Sequence, residues 1–420
     1  MKKLLVLLAA TALALVGCPA PTNSGSPVLD LPRVPWEGAS AFYEKFPVTK
    51  AAGWADRSFF PIGSWWNNFS SDENVKFDKA HGLNTYFEVN PDSDPDLLAA
   101  NGMTYIGHLK SAKATAESTR SADMLPDEID GRYDPPSVGI AELQRIIDEY
   151  GDTGRMKYNN FTAVVASKYN NDQITAGNTY VNMVDGPVSV DGYWYTDTHC
   201  SDRPYVDWSF VPVNESHCRT ASSYGKMVKS VRERVASDGI LQPVYVFVEL
   251  MGGGTESTAS NEYISPAEIQ GAVMNGIINE ARGVVYFNQS FNGACTGGNL
   301  IRQVQVDPNH CMADNIAGMR EINLKIKSLA PILNTQSYVH TFGPNLDTML
   351  KTHEGAAYIF AMPSGEETSA PGERTFTLPK GITGTSVEVV GEGRTLPVMD
   401  GRFSDSFAAE YTHHVYRVTL

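Results

Sequence analysis

Residues 122–133 read ADMLPDEIDGRY, a short apolar run that closes in Asp127, Glu128 and Asp130. In a chain that alternates strand and helix, carboxylates just past the carboxyl end of a strand stand where such folds place their chemistry. Acid–base chemistry on a bond commonly takes two such groups, one to give a proton to the leaving atom and a second to attack or to activate water. The partner should end another strand. Residues 243–250, PVYVFVEL, supply one: a β-branched and aromatic run carrying Glu249 and stopping before Gly252, Gly253 and Gly254. The fold turns on whether these two strands belong to one barrel.

Working upstream, residues 59–66 (FFPIGSWW) form a first strand leading to Trp65 and Trp66, and residues 72–81 (DENVKFDKAH) a helix stopped by Gly82. Residues 83–89 are a second strand, 95–101 a short helix, 103–108 a third strand, and 109–120 helical in composition. Downstream, residues 139–150 place Ile140, Leu143, Ile146 and Ile147 on one helical face. The turn at 151–155 leads to a fifth strand at residues 161–166. Strand six lies within residues 180–195, in the later part, VSVDGYWY. A loop holding Cys200 and Cys218 precedes a helix over 224–237 and then the Glu249 strand. Ser265-Pro266-Ala267-Glu268 is a capping box with proline at the first helical position, which starts a helix running to about Ala281. Residues 283–288 are the eighth strand and 314–329 the eighth helix.

Eight strands, nearly all followed by helix, predict a (β/α)8 TIM barrel over residues 36–332, because parallel strands need such crossovers. A doubly wound open sheet is the alternative, but no glycine-rich phosphate loop follows the first strand. Past Pro331 the helical period disappears. Short alternating runs (AAYIF, RTFTL, TSVEVV, HHVYRVTL) between Gly, Pro and Ser turns predict an antiparallel β-sandwich over residues 333–420, either stiffening the barrel or binding sugar.

With 42% hydrophobic and 19% charged residues the chain can bury a large core. A net charge of −15 without a basic cluster argues against nucleic acid or anionic lipid as a partner. Residues 1–18, MKKLLVLLAATALALVGC, have the lysines, apolar core and small residues of a secretion signal, too short for a membrane span. Leu15-Val16-Gly17-Cys18 resembles the bacterial lipoprotein box, which implies lipidation at Cys18, an extracytoplasmic place on a bacterial membrane, and a tether over residues 19–35. Export would leave Cys200, Cys218, Cys295 and Cys311 in an oxidising compartment. Three pairings are open, and the local one joins Cys200 to Cys218 and Cys295 to Cys311. Zinc is the rival use, with His199, His217 and His310 beside cysteines, but no CxxC spacing supports a metal site.

The order FFPIGSWW, LNTYFEV, LPDEID, PVYVFVE, then SPAEIQGAVMNGIINEARGVVYF and a tail ending in HVYRV resembles the clan of (β/α)8 glycoside hydrolases that hold two catalytic acids after strands four and seven. The resemblance implies Glu128 as general acid/base and Glu249 as nucleophile. It departs from the clan where many members carry Asn before the first acid, since this chain has Asp127. Aromatic side chains that could stack on sugar faces are Trp65, Trp66, Tyr86, Tyr193, Trp194, Tyr195 and Tyr286. Glu88 and His108, ending strands two and three, could line the same mouth but read more readily as structural.

The expectation is a monomeric, lipid-anchored glycoside hydrolase acting on a poly- or oligosaccharide without cofactor, probed by the separation of Glu128 and Glu249. A non-catalytic surface glycan-binding lipoprotein is the alternative from another class. A purely structural envelope protein would lack an aromatic cleft.

Overall fold

The computed structural model describes residues 29–108, 117–168, 170–196, 218–252, 263–291, 293–364 and 371–420. Eight strands, β1 (Ile62–Trp65), β2 (Thr85–Phe87), β3 (Thr104–Gly107), β4 (Arg120–Met124), β5 (Met156–Phe161), β6 (Val188–Val190), β7 (Val244–Glu249) and β8 (Val284–Phe287), close a barrel. Each strand pairs in parallel with the next, and β1 closes on β8 with Gly63 opposite Val285. The TIM barrel is therefore present, and the open sheet is not.

Alternation along each strand decides what faces the lumen. On β7, Tyr245 and Phe247 join Trp65, Phe87, Ile106, Ala122, Met124, Met156, Tyr158 and Val285 in one interior cluster. Val244, Val246 and Val248 instead join the larger cluster between barrel and helices. Each such buried apolar side chain stabilises by roughly 1.5–3 kcal/mol. Gly63 makes room for this filling, since a Cβ there would stand 2.6 Å from the Phe87 ring. The amino-terminal end of the barrel is plugged by a 3-10 helix, Ala39–Lys45, and a helix, Pro47–Ala51, whose Phe42, Tyr43 and Phe46 enter the same cluster. Tyr43 and Tyr245 meet there, hydroxyl to hydroxyl, at 2.7 Å.

Several elements differ from the sequence reading. The fifth strand is Met156–Phe161, not residues 161–166, because Ala163–Ala166 is helical. Asp130 explains the change: its carboxylate accepts the backbone N–H groups of Thr162 and Val165, both at 2.9 Å, and turns the chain out of the strand. Of the expected helix at 109–120, residues 109–116 lie outside the described residues, 117–119 form a turn and Arg120 opens β4. The last barrel helix runs Ala313–Leu333, carrying Pro331 inside it.

Two short strands, β9 (Gln289–Ser290) and β10 (Gly297–Gly298), pair after β8. The C-terminal module then holds β11 (Ser337–Tyr338), β12 (Leu346–His353), β13 (Ala356–Pro363), β14 (Gly372–Thr377), β15 (Ser386–Val389), β16 (Arg394–Pro397), β17 (Arg402–Phe407) and β18 (His414–Thr419). Six of them form an antiparallel sheet in the order β11-β12-β13-β18-β15-β16, and β14 pairs with β17. Phe376, Phe403 and Tyr416 pack between the two sheets as a core of their own.

The end of the proposed tether is not free. Leu29 is buried in the sandwich core, Val34 N–H donates to the Ser337 carbonyl, and Val339 N–H donates to that of Pro32. An apolar Leu29 and Leu31 within a Pro- and Ser-rich stretch give this segment a face to bury. Cys295 and Cys311 form a disulfide with sulfurs 1.99 Å apart. Cys218 is also disulfide-bonded, while Cys18 and Cys200 lie outside the described residues. His310 approaches Cys295 and Cys311, the one group of possible metal ligands among the described residues, but both sulfurs are committed to each other. No helix among the described residues is long and apolar enough to cross a membrane.

Candidate active site

The carboxyl ends of the strands gather acids from four of them. Glu88 follows β2, Asp127 and Glu128 follow β4, Asp191 follows β6, and Glu249 is the last residue of β7, opposite Phe287 in the ladder. Trp66, Glu88 and Glu128 have φ of 54°, 44° and 50°. A non-glycine residue in the left-handed region costs on the order of 1–3 kcal/mol, and such positions cluster where a side chain must be aimed. Three at the ends of β1, β2 and β4 turn these side chains at the rim.

Glu128 has the most exposed carboxylate of the group, 39% accessible, with Arg132 at 3.9 Å. Its backbone N–H donates to the Asn160 carbonyl at 3.0 Å, which fixes the turn to β5. Asp127 accepts from Asn160 Nδ2 at 3.1 Å. Asn160 Oδ1 in turn accepts from Ser189 Oγ at 2.6 Å, and Ser189 meets the Tyr158 hydroxyl at 2.6 Å. Burial pushes Asp127 up to about 7, with Glu128 and Glu88 adding repulsion against the relief from Asn160. Asp191 is pushed well above the carboxylate range by burial first and then by the negative charge of Glu128. With Asp127 at about 7 and Asp191 raised, this cluster holds carboxyl protons more tightly than free carboxylates do.

Glu249 is placed differently. Strand parity sends it inward after Tyr245 and Phe247, yet it is 0% exposed. Its Oε1 accepts from the N–H groups of Tyr195 at 3.2 Å and Thr196 at 3.3 Å, and the Tyr224 hydroxyl is 2.7 Å from both oxygens. Burial raises it to about 7 despite these donors. Burial pushes the Tyr193 hydroxyl well above 10, and Asp191, Glu128, Asp127 and Glu249 add to the rise. Asp191 and Tyr193 follow β6 at the same barrel mouth that receives Asp127 and Glu128 from β4 and Glu249 from β7.

The proposed aromatic residues separate into two sets. Trp65, Trp66 and Tyr193 belong to the lumen side, where Trp65 packs on Phe247 at 5.6 Å and Tyr193 on Phe287 at 5.1 Å. Phe287 leads to Phe291, 53% exposed, at 5.7 Å. Tyr86, Trp194, Tyr195 and Tyr286 are corrections. Tyr86 and Tyr286 have the outward parity of their strands and are buried between barrel and helices, where their hydroxyls donate to Asp78 at 2.8 Å and Asn323 at 2.7 Å. Trp194 and Tyr195 are buried in the same layer, and Tyr195 donates to Glu410 at 2.6 Å. His108 Nε2 stands 3.4 Å from Glu88.

Asp191, Asn160 and Tyr224 were not singled out in the sequence. Asp191 directly follows the VSV of β6, so the strand-end rule that found Glu128 and Glu249 could have found it. Tyr224, in the first turn of the Ala221–Val235 helix, carries no local signal.

No protein-family model and no curated protein matches the chain. Solved structures do. A protein described as a glycoside hydrolase matches at a TM-score of 0.54 and 13% identity, over 86% of this chain and 92% of that one. A family 5 glycoside hydrolase from Bacteroides vulgatus matches at 0.53 and 13%, over 86% and 89%. The fold is that of the (β/α)8 glycoside hydrolases. At 86% of this chain, both likenesses cover more residues than the barrel alone contains.

The buried acids set a pH dependence of stability. Asp78, Asp130, Asp127, Glu249 and Glu410 are pushed to between about 6 and about 7, each with burial as the largest cause. Between their unfolded values near 4 and these folded values the native state binds more protons, so stability falls as pH rises through that window. Glu280 acts in the opposite sense: it is held to about 2, and its contribution is lost as pH drops below 4.5. The melting temperature should peak at about pH 5 and be lower at pH 7.5. A thermal scan series showing the maximum at or above neutrality would contradict this.

Proposed function

We propose that the protein hydrolyses a glycosidic bond at the carboxyl end of its barrel. Glu128, backed by Asp127 and Asp191, delivers the proton to the leaving oxygen. Glu249 faces the anomeric carbon or the water that attacks it. The observation that carries this reading is the placement of Asp127 and Glu128 after β4, Asp191 after β6 and Glu249 at the end of β7, all at the carboxyl end of one closed barrel. Glycoside cleavage needs two carboxyl groups differing by one proton, and a cluster of acids raised by burial beside a separately hydrogen-bonded Glu249 supports that assignment. Trp66, Tyr193, Phe287 and Phe291, partly or largely exposed, supply ring faces for a carbohydrate at the rim, while Trp65 is buried beneath them in the barrel interior. We infer a place outside the cytoplasm on a lipid anchor from the signal-like residues 1–18 and Cys18, and the Cys295–Cys311 disulfide supports the oxidising environment of that reading.

The full chain should release reducing ends from a member of a panel of neutral and acidic polysaccharides, and Glu128→Gln should lower that rate by about 10²–10⁴-fold. The anomer first formed, read by NMR, distinguishes retention from inversion. One observation favours a second reading, binding without cleavage: Glu249 is wholly buried and its carboxylate is occupied by protein donors. Retention of glycans by the parent and by Glu128→Gln alike, with no release of reducing ends from any substrate, would select it.

A further inference from the structure

The C-terminal module reaches the barrel at the place where Glu249 is held. Glu410, in the turn before β18, accepts hydrogen bonds from the Tyr195 hydroxyl at 2.6 Å and from the Ala221 backbone N–H at 2.8 Å. Asp347, on β12, accepts from Asn275 Nδ2 at 3.0 Å, with Ser222 Oγ at 3.2 Å. Ala221 and Ser222 open the Ala221–Val235 helix, and Tyr224 lies in its first turn. The donors that reach Glu249, namely Tyr195 N–H, Thr196 N–H and the Tyr224 hydroxyl, therefore come from the two segments that the module grips. The segments also hold each other: Tyr195 N–H lies 3.1 Å from the Tyr224 hydroxyl, and the two rings stack at 5.6 Å.

The turn that carries Glu410 is itself fixed. Ala409 and Thr412 close it with hydrogen bonds of 3.1 and 2.9 Å. Tyr411 seats on Gly271 of the Pro266–Ile278 helix, where a Cβ would stand 2.5 Å from the tyrosine's own. A side chain of nearly any size at 271 would lift the turn, and with it the Glu410 carboxylate, off the barrel.

We infer that the C-terminal β-module is a working part of the barrel's site, with Glu410 as a positioning residue that holds residues 195–196 and the start of the 221–235 helix as the cradle of Glu249. The inference rests on the reading of Glu249 as the reacting carboxylate. It makes the module neither a passive stiffener nor a separate sugar binder. A carboxylate that must meet an anomeric carbon tolerates little displacement, since about 1 Å of misplacement can cost on the order of 10²-fold in rate.

The test uses the full chain and the variants Glu410→Ala, Glu410→Gln and Tyr195→Phe, with two independent readouts. Amide hydrogen exchange at Tyr195 and Thr196 should quicken by about 10-fold or more in Glu410→Ala, since local opening there loses its outer anchor. In the same variant kcat should fall by about 10–10²-fold with KM little changed. The acid limb of the kcat profile should move to higher pH, because Glu249 loses N–H donors that favour its charged form. Glu410→Gln, which keeps an acceptor for Ala221, should recover most of both. If Glu410→Ala does not fold, Tyr195→Phe, which removes only the hydroxyl, should show the same changes. Unaltered exchange at Tyr195 and Thr196 overturns the inference whether or not the protein cleaves glycosides. Faster exchange with an unmoved kcat and acid limb in an active enzyme overturns it too. Parent-level activity in Glu249→Gln would instead defeat the functional reading, an outcome separate from the exchange result.

Discussion

Glu249→Gln is expected to abolish glycoside cleavage, lowering kcat by on the order of 10³-fold or more, while the protein melts at a temperature equal to or above that of the parent. The two halves of this result have one cause. Burial lifts Glu249 to about 7, so holding its charge in the folded protein at neutral pH opposes stability. The amide is nearly isosteric. Its oxygen can keep the N–H groups of Tyr195 and Thr196, and its nitrogen can donate to the Tyr224 hydroxyl, so no buried polar atom is stranded. A buried, costly carboxylate that can be neutralised without harm to the fold has been kept for something other than stability. The measurement is a steady-state rate paired with a melting curve at pH 7.5. Lost rate together with a lower melting temperature would make Glu249 a structural acid. Unchanged rate would remove it from the chemistry.

The barrel was legible because each of its signals is local. Strand-ending acids, the Ser265–Glu268 capping box and the run PVYVFVE are short-range patterns, and they place β7 and β8 within one residue, the start of β4 within two and that of β1 within three. The errors share a different cause. Tyr86 and Tyr286 are aromatic residues on barrel strands, as Trp65 is, and only parity separates them: one residue along the strand turns a ring from the lumen to the helix layer. Strand parity cannot be read without knowing the register at which β1 closes on β8. Ala163–Ala166 has strand-like composition, and its helix is imposed by Asp130, a residue more than thirty positions earlier in the chain. Glu410 had no signal at all, since its role comes from a contact between modules, 215 positions from Tyr195.

The second large effect belongs to stability and lies at the opposite end of the barrel. Arg282, 4% exposed, pairs with Glu37 at 2.5 Å and Glu280 at 2.8 Å. Glu37 also accepts the Ala39 N–H at the start of the helix that plugs the barrel floor. Nearby, Arg232 donates to the carbonyls of Glu280 and Pro35, and Lys351 of the sandwich donates to Thr335 and Ser337. Arg282→Leu leaves two buried carboxylates without their guanidinium and should cost about 3–5 kcal/mol in chemical denaturation. Arg417→Leu, which breaks an exposed 3.3 Å pair with Glu388, should cost about 1 kcal/mol or less. Acid then separates charge from packing. Burial alone would raise Glu280, but Arg282, with Lys351 and Arg232, holds it at about 2 in the parent, so that contribution is present above pH 4.5 and lost as pH falls toward 2. Without Arg282 the same carboxyl takes its proton at higher pH and its burial ceases to be a buried charge. The deficit of Arg282→Leu should therefore shrink steadily below pH 4.5, whereas a deficit that stays constant with pH would mean that the guanidinium acts by filling space rather than by neutralising Glu37 and Glu280.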